Sequence, residues 1–122
     1  MKNLWKIVVG VLLSFGLVAG LSACTAPEKV DMTAVTAVID VRTPAEFAEG
    51  HLDGALNIPL ESGNFPGEIA QLDPAGTYLV YCRSGNRSAT AIGVMEAAGF
   101  TGLTDLGGYA DASAATGIPL VK

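Results

Sequence analysis

The chain has 122 residues, with 12 acidic residues against 7 lysines and arginines and a formal net charge of −5 at pH 7. This length suits one domain and excludes two domains of ordinary size. The acidic balance argues against a nucleic-acid partner, because neutralising phosphates requires a basic face.

The first 23 residues have the pattern of an export signal. Lys2 and Lys6 flank the start of an apolar run, Ile7 to Gly20. At roughly 15 residues this run is shorter than the ~20 that a membrane-spanning helix needs. The following Leu21-Ser22-Ala23-Cys24 resembles the lipobox of bacterial lipoproteins, in which the chain is cut before a cysteine that then carries lipid. We therefore expect a lipoprotein signal peptide over residues 1–23 and lipid on Cys24. An uncleaved anchor and an ordinary signal cut nearby are the alternatives.

Export would change the charge and the cysteine chemistry of the mature chain. Without Lys2 and Lys6, five cations face twelve acidic residues, and the net charge becomes −7. With lipid on Cys24, Cys82 is the one free thiol, so no intramolecular disulfide can form and the domain depends on its core. A free thiol outside the cytoplasm is prone to oxidation, so it is either buried and inert or used.

Residues 24–33 include Pro27 and mixed charge, which predicts a tether ahead of a domain over residues 34–122. The Val- and Ile-rich segment Ala34 to Val41 predicts a buried strand. Three signals then predict a short helix that ends near Gly50. They are an N-cap at Thr43, a proline at the first helical position at Pro44, and a capping box completed by Glu46.

The rest of the chain alternates between strand and helix patterns. Strands are predicted at Ala55 to Ile58, Thr77 to Tyr81 and Gly102 to Leu106. Helices are predicted at Glu68 to Leu72, Ser88 to Ala98 and Ala110 to Ala115. This alternation indicates an α/β fold, a three-layer sandwich with a mainly parallel central sheet flanked by short helices.

Cys82 lies where the strand pattern ends and the run Arg83-Ser84-Gly85-Asn86-Arg87-Ser88 leads into a helix. Such a turn directs backbone N–H groups and the positive end of a helix into one bowl, which favours an anion or a thiolate. The helix end and the arginines Arg83 and Arg87 are expected to lower the thiol pKa, and a thiolate is a competent nucleophile at neutral pH. Gly85 allows the backbone to approach an anion closely. The pattern therefore predicts chemistry on sulfur or on an oxyanion.

Four blocks in this order resemble single-domain rhodaneses. They are Val38 to Phe47, Gly50 to Pro59, Tyr81 to Ala89, and Gly107-Gly108-Tyr109. The resemblance extends from about Val35 to Val121. It implies a sulfurtransferase in which Cys82 takes the outer sulfur of a small anionic donor such as thiosulfate, becomes a persulfide, and passes the sulfur to cyanide or a thiol.

The resemblance also implies the substrate-binding residues. Backbone amides of the loop from Cys82 to Arg87 would cradle the anionic sulfur, so that the loop residues in contact with substrate are Arg83, Ser84, Gly85, Asn86 and Arg87. The arginine side chains of the loop would hold the oxyanion end of the donor. Arg42 matches the family's Asp-x-Arg block, and it either touches substrate or forms an ion pair with Glu46 or another carboxylate.

His51 and Tyr109 are expected to be structural. Persulfide transfer from a thiolate of low pKa needs no separate base, so we expect His51 to make a local hydrogen bond. The family commonly places a Trp after the Gly-Gly pair; in this chain either Tyr109 occupies the nearby aromatic position or the Trp is missing, which leaves the local packing open but not the chemistry. No Cys, His and carboxylate cluster has metal-ligand spacing, and neither a metal nor a cofactor is expected.

Two other functions compete with sulfur transfer. The loop from Cys82 to Arg87 has six residues, the size associated with sulfur donors, whereas related phosphatases and arsenate reductases use seven. A phosphatase is nevertheless an alternative, because the pattern is one residue short of theirs. A rhodanese-like module that binds a partner or a small anion without catalysis is a second alternative.

The expected location is the cell envelope, with the domain outside the cytoplasm and anchored to a membrane by Cys24. The donor, the acceptor, the choice of membrane and the oligomeric state stay open.

Overall fold

A computed structural model describes residues 29–122 of the chain. The expected signal peptide, Cys24 and the first part of the expected tether lie outside the described residues. No helix within residues 29–122 combines the length and the apolar character needed to cross a membrane.

A four-stranded parallel sheet forms the centre of the domain. In spatial order its strands are β3 (Leu56–Asn57), β1 (Ala37–Asp40), β4 (Thr77–Cys82) and β5 (Gly102–Gly108). The two central strands, β1 and β4, are almost wholly apolar, because helices and loops cover both faces of a parallel sheet.

Four helices and a second, smaller sheet complete the described fold. The helices are α1 (Pro44–Glu49), α2 (Phe65–Ile69), α3 (Asn86–Ala97) and α4 (Tyr109–Thr116). The antiparallel pair consists of β2 (His51–Leu52) and β6 (Leu120–Val121). Short 3-10 turns lie at Met32–Ala34 and Leu60–Ser62.

Side chains alternate between two cores along the central strands. Tyr78, Val80 and Cys82 of β4 pack in one cluster with Met95 of α3. The intervening β4 side chains, Leu79 and Tyr81, pack on the other face in a cluster with Ala112 of α4. This period of two follows from the pleat of a strand, and it assigns Cys82 to the face that α3 covers. The expected α/β architecture with a mainly parallel sheet is confirmed.

The expected helix start at Thr43 is confirmed. The Thr43 side chain accepts a hydrogen bond from the Glu46 N–H at 3.3 Å and its hydroxyl donates to the Glu46 carboxylate at 3.1 Å. Pro44 occupies the first helical position, and Gly50 follows the last. The carboxylate of Glu46 therefore meets the hydroxyl of the cap, whereas a standard capping box would direct it to the backbone N–H of the cap.

Two expected elements have different bounds in the structure. The strand expected over Ala34 to Val41 is confined to β1, because a 3-10 turn capped by Asp31 precedes it. The helix expected at Glu68 to Leu72 was placed wrongly, since α2 begins three residues earlier at Phe65. Pro66 supplies the start signal of α2, and its buried residues Phe65 and Ile69 are one helical turn apart.

Residues Val30 to Val35 lie against the domain. The Val30 N–H donates to the carbonyl of Ala115 at 2.9 Å, and Val30, Met32 and Val35 pack on the cluster that contains Ala112. The neighbouring Thr36 N–H donates to the carbonyl of Thr77 at 2.7 Å, so this segment joins the domain at the edge where β4 starts, remote from Cys82 at the end of β4.

Candidate functional site

The loop that follows Cys82 is short and is positioned by two glycines. Strand β4 ends at Cys82, which pairs with Gly108 of β5, and helix α3 begins four residues later at Asn86. Gly85 has a φ of 104°, a left-handed conformation that a side chain would strain. A Cβ on Gly108 would lie 2.7 Å from the carbonyl oxygen of Arg83, so the loop backbone packs directly on this glycine.

The sulfur of Cys82 is fully buried beneath this loop. The Gly85 N–H donates to Sγ at 2.8 Å, and the hydroxyl oxygen of Ser88 is 3.5 Å from Sγ. Burial would raise the pKa of the thiol, but hydrogen bonds from the Ser88 hydroxyl and from the N–H groups of Ser88, Gly85 and Ser84 outweigh burial and lower it. The bowl predicted from the sequence is therefore present, and its donors favour the thiolate.

Sequence reasoning missed Ser88 as a neighbour of the sulfur and Asp105 as the partner of Ser88. The Ser88 hydroxyl lies 2.7 Å from Oδ1 of Asp105, which also accepts the N–H of Gly107 at 2.8 Å. The second contact is an Asx-type turn, and an Asp two residues before a glycine is a signal that could have been noticed. The contact between Asp105 and Ser88 joins residues 17 positions apart and depends on how α3 packs on β5.

The side chain of Arg87 points to helix α1. Its two terminal nitrogens donate to the two carboxylate oxygens of Glu46 at 2.7 and 2.9 Å, and Glu61 lies farther away at 3.8 Å. The hydrogen bond from Arg87 lowers the pKa of Glu46 to about 2, although partial burial opposes the shift. The expected binding of a donor oxyanion by Arg87 stays a prediction, because Glu46 engages its guanidinium here.

Arg42 is held inside the domain by Asp40. Both side chains are buried, and the Arg42 guanidinium donates to both Asp40 oxygens and to the carbonyl of Gly50. The ring centroid of Tyr109 lies 4.9 Å from Cζ of Arg42, within range of a cation–π interaction. Of the alternatives that the sequence left for Arg42, the structure contains an ion pair with a carboxylate other than Glu46.

A cavity of about 230 Å³ opens beside the loop. Its lining residues come from the segment between β1 and α1, from α1 and the residue after it, from α4 and from the loop: Arg42, Glu46, Glu49, Gly50, Arg83 and Tyr109. Arg83 is exposed and makes no ion pair within residues 29–122, so it is the lining arginine whose charge is available to a ligand. Cys82 itself does not line this cavity, because the loop covers its sulfur.

The remaining loop residues and His51 occupy different positions. Ser84 and Asn86 are exposed. His51 stacks on Phe47, with ring centroids 3.6 Å apart, and Nδ1 lies 2.8 Å from the Phe47 carbonyl oxygen. His51 thus makes the local hydrogen bond that the sequence predicts.

No group of His, Cys, Asp and Glu within residues 29–122 has an arrangement that could hold a metal ion.

Comparison with known proteins agrees with this geometry. The family described as rhodanese-like domain matches residues 25–115. The chain belongs to the rhodanese-like family. Among rhodanese relatives, thiosulfate sulfurtransferase 16 of Arabidopsis thaliana is 36% identical over 91 residues, covering 66% of this chain and 76% of the relative. The thiosulfate sulfurtransferase PspE of Escherichia coli is 36% identical over 73 residues, covering 60% of this chain and 70% of the relative.

A solved structure extends the rhodanese comparison to the fold. A rhodanese with anions from E. coli is 34% identical, covers 70% of this chain and 96% of that chain, and gives a TM-score of 0.59. The family expected from the sequence is therefore confirmed, and sulfur transfer is supported as the function at the level of the family.

Proposed function

We propose that this chain is a sulfurtransferase in which Cys82 carries the transferred sulfur as a persulfide. The observation that carries the proposal is the buried thiol of Cys82, whose pKa is lowered by hydrogen bonds from the loop and from Ser88. A thiolate in this bowl is both a nucleophile toward sulfur and a stabilised leaving group. The same N–H groups would also stabilise the negative charge of a persulfide.

The reaction would proceed by two displacements at sulfur. In the first, the Cys82 thiolate attacks the outer sulfur of thiosulfate, a new S–S bond forms, and sulfite leaves with the electron pair of the bond that breaks. In the second, cyanide or an acceptor thiolate attacks the terminal sulfur of the persulfide. The Cys82 thiolate then leaves, and thiocyanate or a hydropersulfide is released. Neither step consumes an external oxidant or reductant.

Arg83 is the side chain that we expect to bind the anionic end of the donor. Asp40 neutralises Arg42, and Glu46 neutralises Arg87, whereas Arg83 has no carboxylate within ion-pair distance in the described part of the chain. Arg83 also follows Cys82 directly in the chain and lines the neighbouring cavity. A donor that places its sulfonate oxygens near Arg83 would have its outer sulfur close to the loop.

The test is thiosulfate-to-cyanide transfer with the wild-type chain and with Cys82→Ser. We expect activity in the wild type and none in the variant. Arg83→Gln should raise KM for thiosulfate by about tenfold, since one charge-assisted contact is lost. Lys29→Gln is the matched control, because it removes one positive charge at an exposed position outside the cavity lining. Equal activity of wild type and Cys82→Ser, or no activity in either, would refute the proposal. Cys82-dependent hydrolysis of an aryl phosphate would favour the phosphatase alternative instead.

We also propose that Cys24 carries lipid and anchors the domain outside the cytoplasm. The support is the lipobox-like segment Leu21 to Cys24 after a signal-like run. Residues 25–29 separate Cys24 from Val30, so the connection reaches at most about 20 Å. Since Val30 contacts the domain at the edge remote from Cys82, an anchor at Cys24 would leave the active site facing away from the membrane and open to soluble donors and acceptors.

Metabolic labelling with a fatty-acid probe tests the anchor. The wild-type chain should incorporate the probe, and Cys24→Ala should not. Labelling that is unchanged in Cys24→Ala would contradict the lipid assignment.

A further inference from the structure

The hydroxyl of Ser88 has one proton and three acceptors within reach. Its oxygen lies 2.7 Å from Oδ1 of Asp105 and 3.0 Å from the carbonyl oxygen of Gly85. The Cys82 thiol donates to the same oxygen at 3.5 Å, and Sγ becomes the third acceptor when the thiol is ionised. A hydroxyl donates one hydrogen bond at a time, so these acceptors compete for the same proton.

Asp105 has the best geometry in this competition. A distance of 2.7 Å is typical of a short, charge-assisted bond from a hydroxyl to a carboxylate. The 3.5 Å separation from Sγ is longer and gives a weaker bond, although sulfur becomes a stronger acceptor when it is a thiolate. The hydrogen bond that Ser88 gives to the thiolate is therefore available only to the extent that Asp105 releases the proton.

We propose that Asp105 is a positioning residue that draws the Ser88 hydroxyl away from the Cys82 sulfur and so limits how strongly the site stabilises the thiolate. The backbone N–H groups of the loop still donate to the sulfur, so the site continues to favour the thiolate without the full contribution of the Ser88 hydroxyl. A thiolate that is stabilised too strongly loses nucleophilicity. If Cys82 acts as proposed above, Asp105 keeps its sulfur reactive toward the donor.

The other charged groups near the sulfur are either ion-paired or exposed to solvent. Arg87 of α3 is bound by Glu46 of α1, and at the end of β1 the buried Arg42 is bound by Asp40. Arg83 of the loop is exposed. Among the described residues, Asp105 of β5 is the charged group that a single hydroxyl connects to Sγ.

Asp105 also has a local structural role, which the test must separate from the proposed one. Its Oδ1 accepts the Gly107 N–H at 2.8 Å next to an irregularity in the pairing of β4 with β5. Asp105→Asn keeps one acceptor oxygen for this bond, replaces the other carboxylate oxygen by an NH2 group and removes the charge. With a neutral amide opposite it, the Ser88 hydroxyl would turn to the thiolate, which is then the charged acceptor within reach.

The experiment is an ultraviolet titration of the Cys82 thiolate in the full chain, with Cys82→Ser as the blank so that Cys24 and the tyrosines cancel. We expect Asp105→Asn to lower the titration midpoint by about one pH unit, the size of a gained hydrogen bond to a charged group. In a Ser88→Ala background the same substitution should shift the midpoint by less than a third of that, because no hydroxyl remains to be redirected.

Two results would overturn the proposal. One is an unchanged midpoint in Asp105→Asn, as a purely local role predicts. The other is an equal shift with and without the Ser88 hydroxyl, which would mean that the carboxylate acts on the sulfur through space alone. The titration requires no turnover, so its outcome is independent of whether the chain transfers sulfur. Unfolding midpoints in urea, equal to within the error for Asp105→Asn and wild type, would show that the turn at Gly107 is retained.

Discussion

Replacing Glu46 by Gln is expected to uncouple helix α1 from the active-site loop. Arg87 donates to both oxygens of the Glu46 carboxylate, and Glu46 also completes the cap of α1 with Thr43. Gln keeps the length of the side chain and one acceptor oxygen but removes the charge. The variant should therefore lose the ion pair while retaining most of the local packing.

The expected loss of stability follows from the pKa of Glu46. Hydrogen bonding to Arg87 lowers this pKa from 4.5 to about 2. At about 1.4 kcal/mol per pKa unit, the shift corresponds to about 3 kcal/mol at neutral pH. The Glu46 side chain is 23% exposed, so solvent screening reduces the expected contribution to about 1–2 kcal/mol. A carboxylate whose pKa is lowered by folding stabilises the fold above its unfolded value of 4.5, and this stabilisation is lost as the pH falls toward 2.

Urea denaturation between about pH 7 and about pH 2 measures this effect. The difference in unfolding free energy between wild type and Glu46→Gln should be about 1–2 kcal/mol at neutral pH and should approach zero at the acid end. Glu61→Gln is the matched control. It removes a carboxylate that is 3.8 Å from Arg87 and 61% exposed, and its effect should stay below about 0.5 kcal/mol. If the deficit of Glu46→Gln were the same at both ends of the pH range, the ion pair would not be its source.

Two further substitutions address the loop and the core. Gly108→Ala would place a Cβ 2.7 Å from the Arg83 carbonyl oxygen, so we expect the loop to shift, the sulfur-transfer rate to fall by about tenfold or more, and stability to drop by about 1–3 kcal/mol. Gly93→Ala, a position with open space in α3, should keep wild-type activity in the same assay, and equal rates for the two variants would contradict the packing argument. Asp40→Asn leaves the buried guanidinium of Arg42 without its counter-charge, and denaturation should show a loss of about 3–5 kcal/mol. A loss under about 1 kcal/mol would mean that Arg42 is not held by this pair.

Sequence reasoning predicted those parts of the fold whose signals are contiguous in the chain. The buried run of β4 and the cap of α1 at Thr43 each lie within a few neighbouring residues. The bowl around Cys82 is predictable for the same reason, because strand, loop and helix follow one another directly. The antiparallel pair of β2 and β6 was missed, since strands of two residues are too short to have a periodic pattern.

The electrostatic arrangement of the site was less predictable. The arginine of the loop that meets Glu46 is 41 residues away from it in the chain, and the partner of the Ser88 hydroxyl is 17 residues away. Which charges pair at such separations depends on the packing of α1 and α3 and on the register of β5. As a result, the sequence grouped Arg83 and Arg87 as equivalent ligands of the donor, whereas the structure distinguishes an exposed arginine from one bound by Glu46.

The intact mass of the chain after exposure to thiosulfate tests the central claim most directly. We predict that the wild-type chain gains the mass of one sulfur atom and loses it again on addition of cyanide, while Cys82→Ser gains nothing. A wild-type chain whose mass is unchanged by thiosulfate, or a gain that persists in Cys82→Ser, would contradict the assignment of Cys82 as the residue that carries the sulfur.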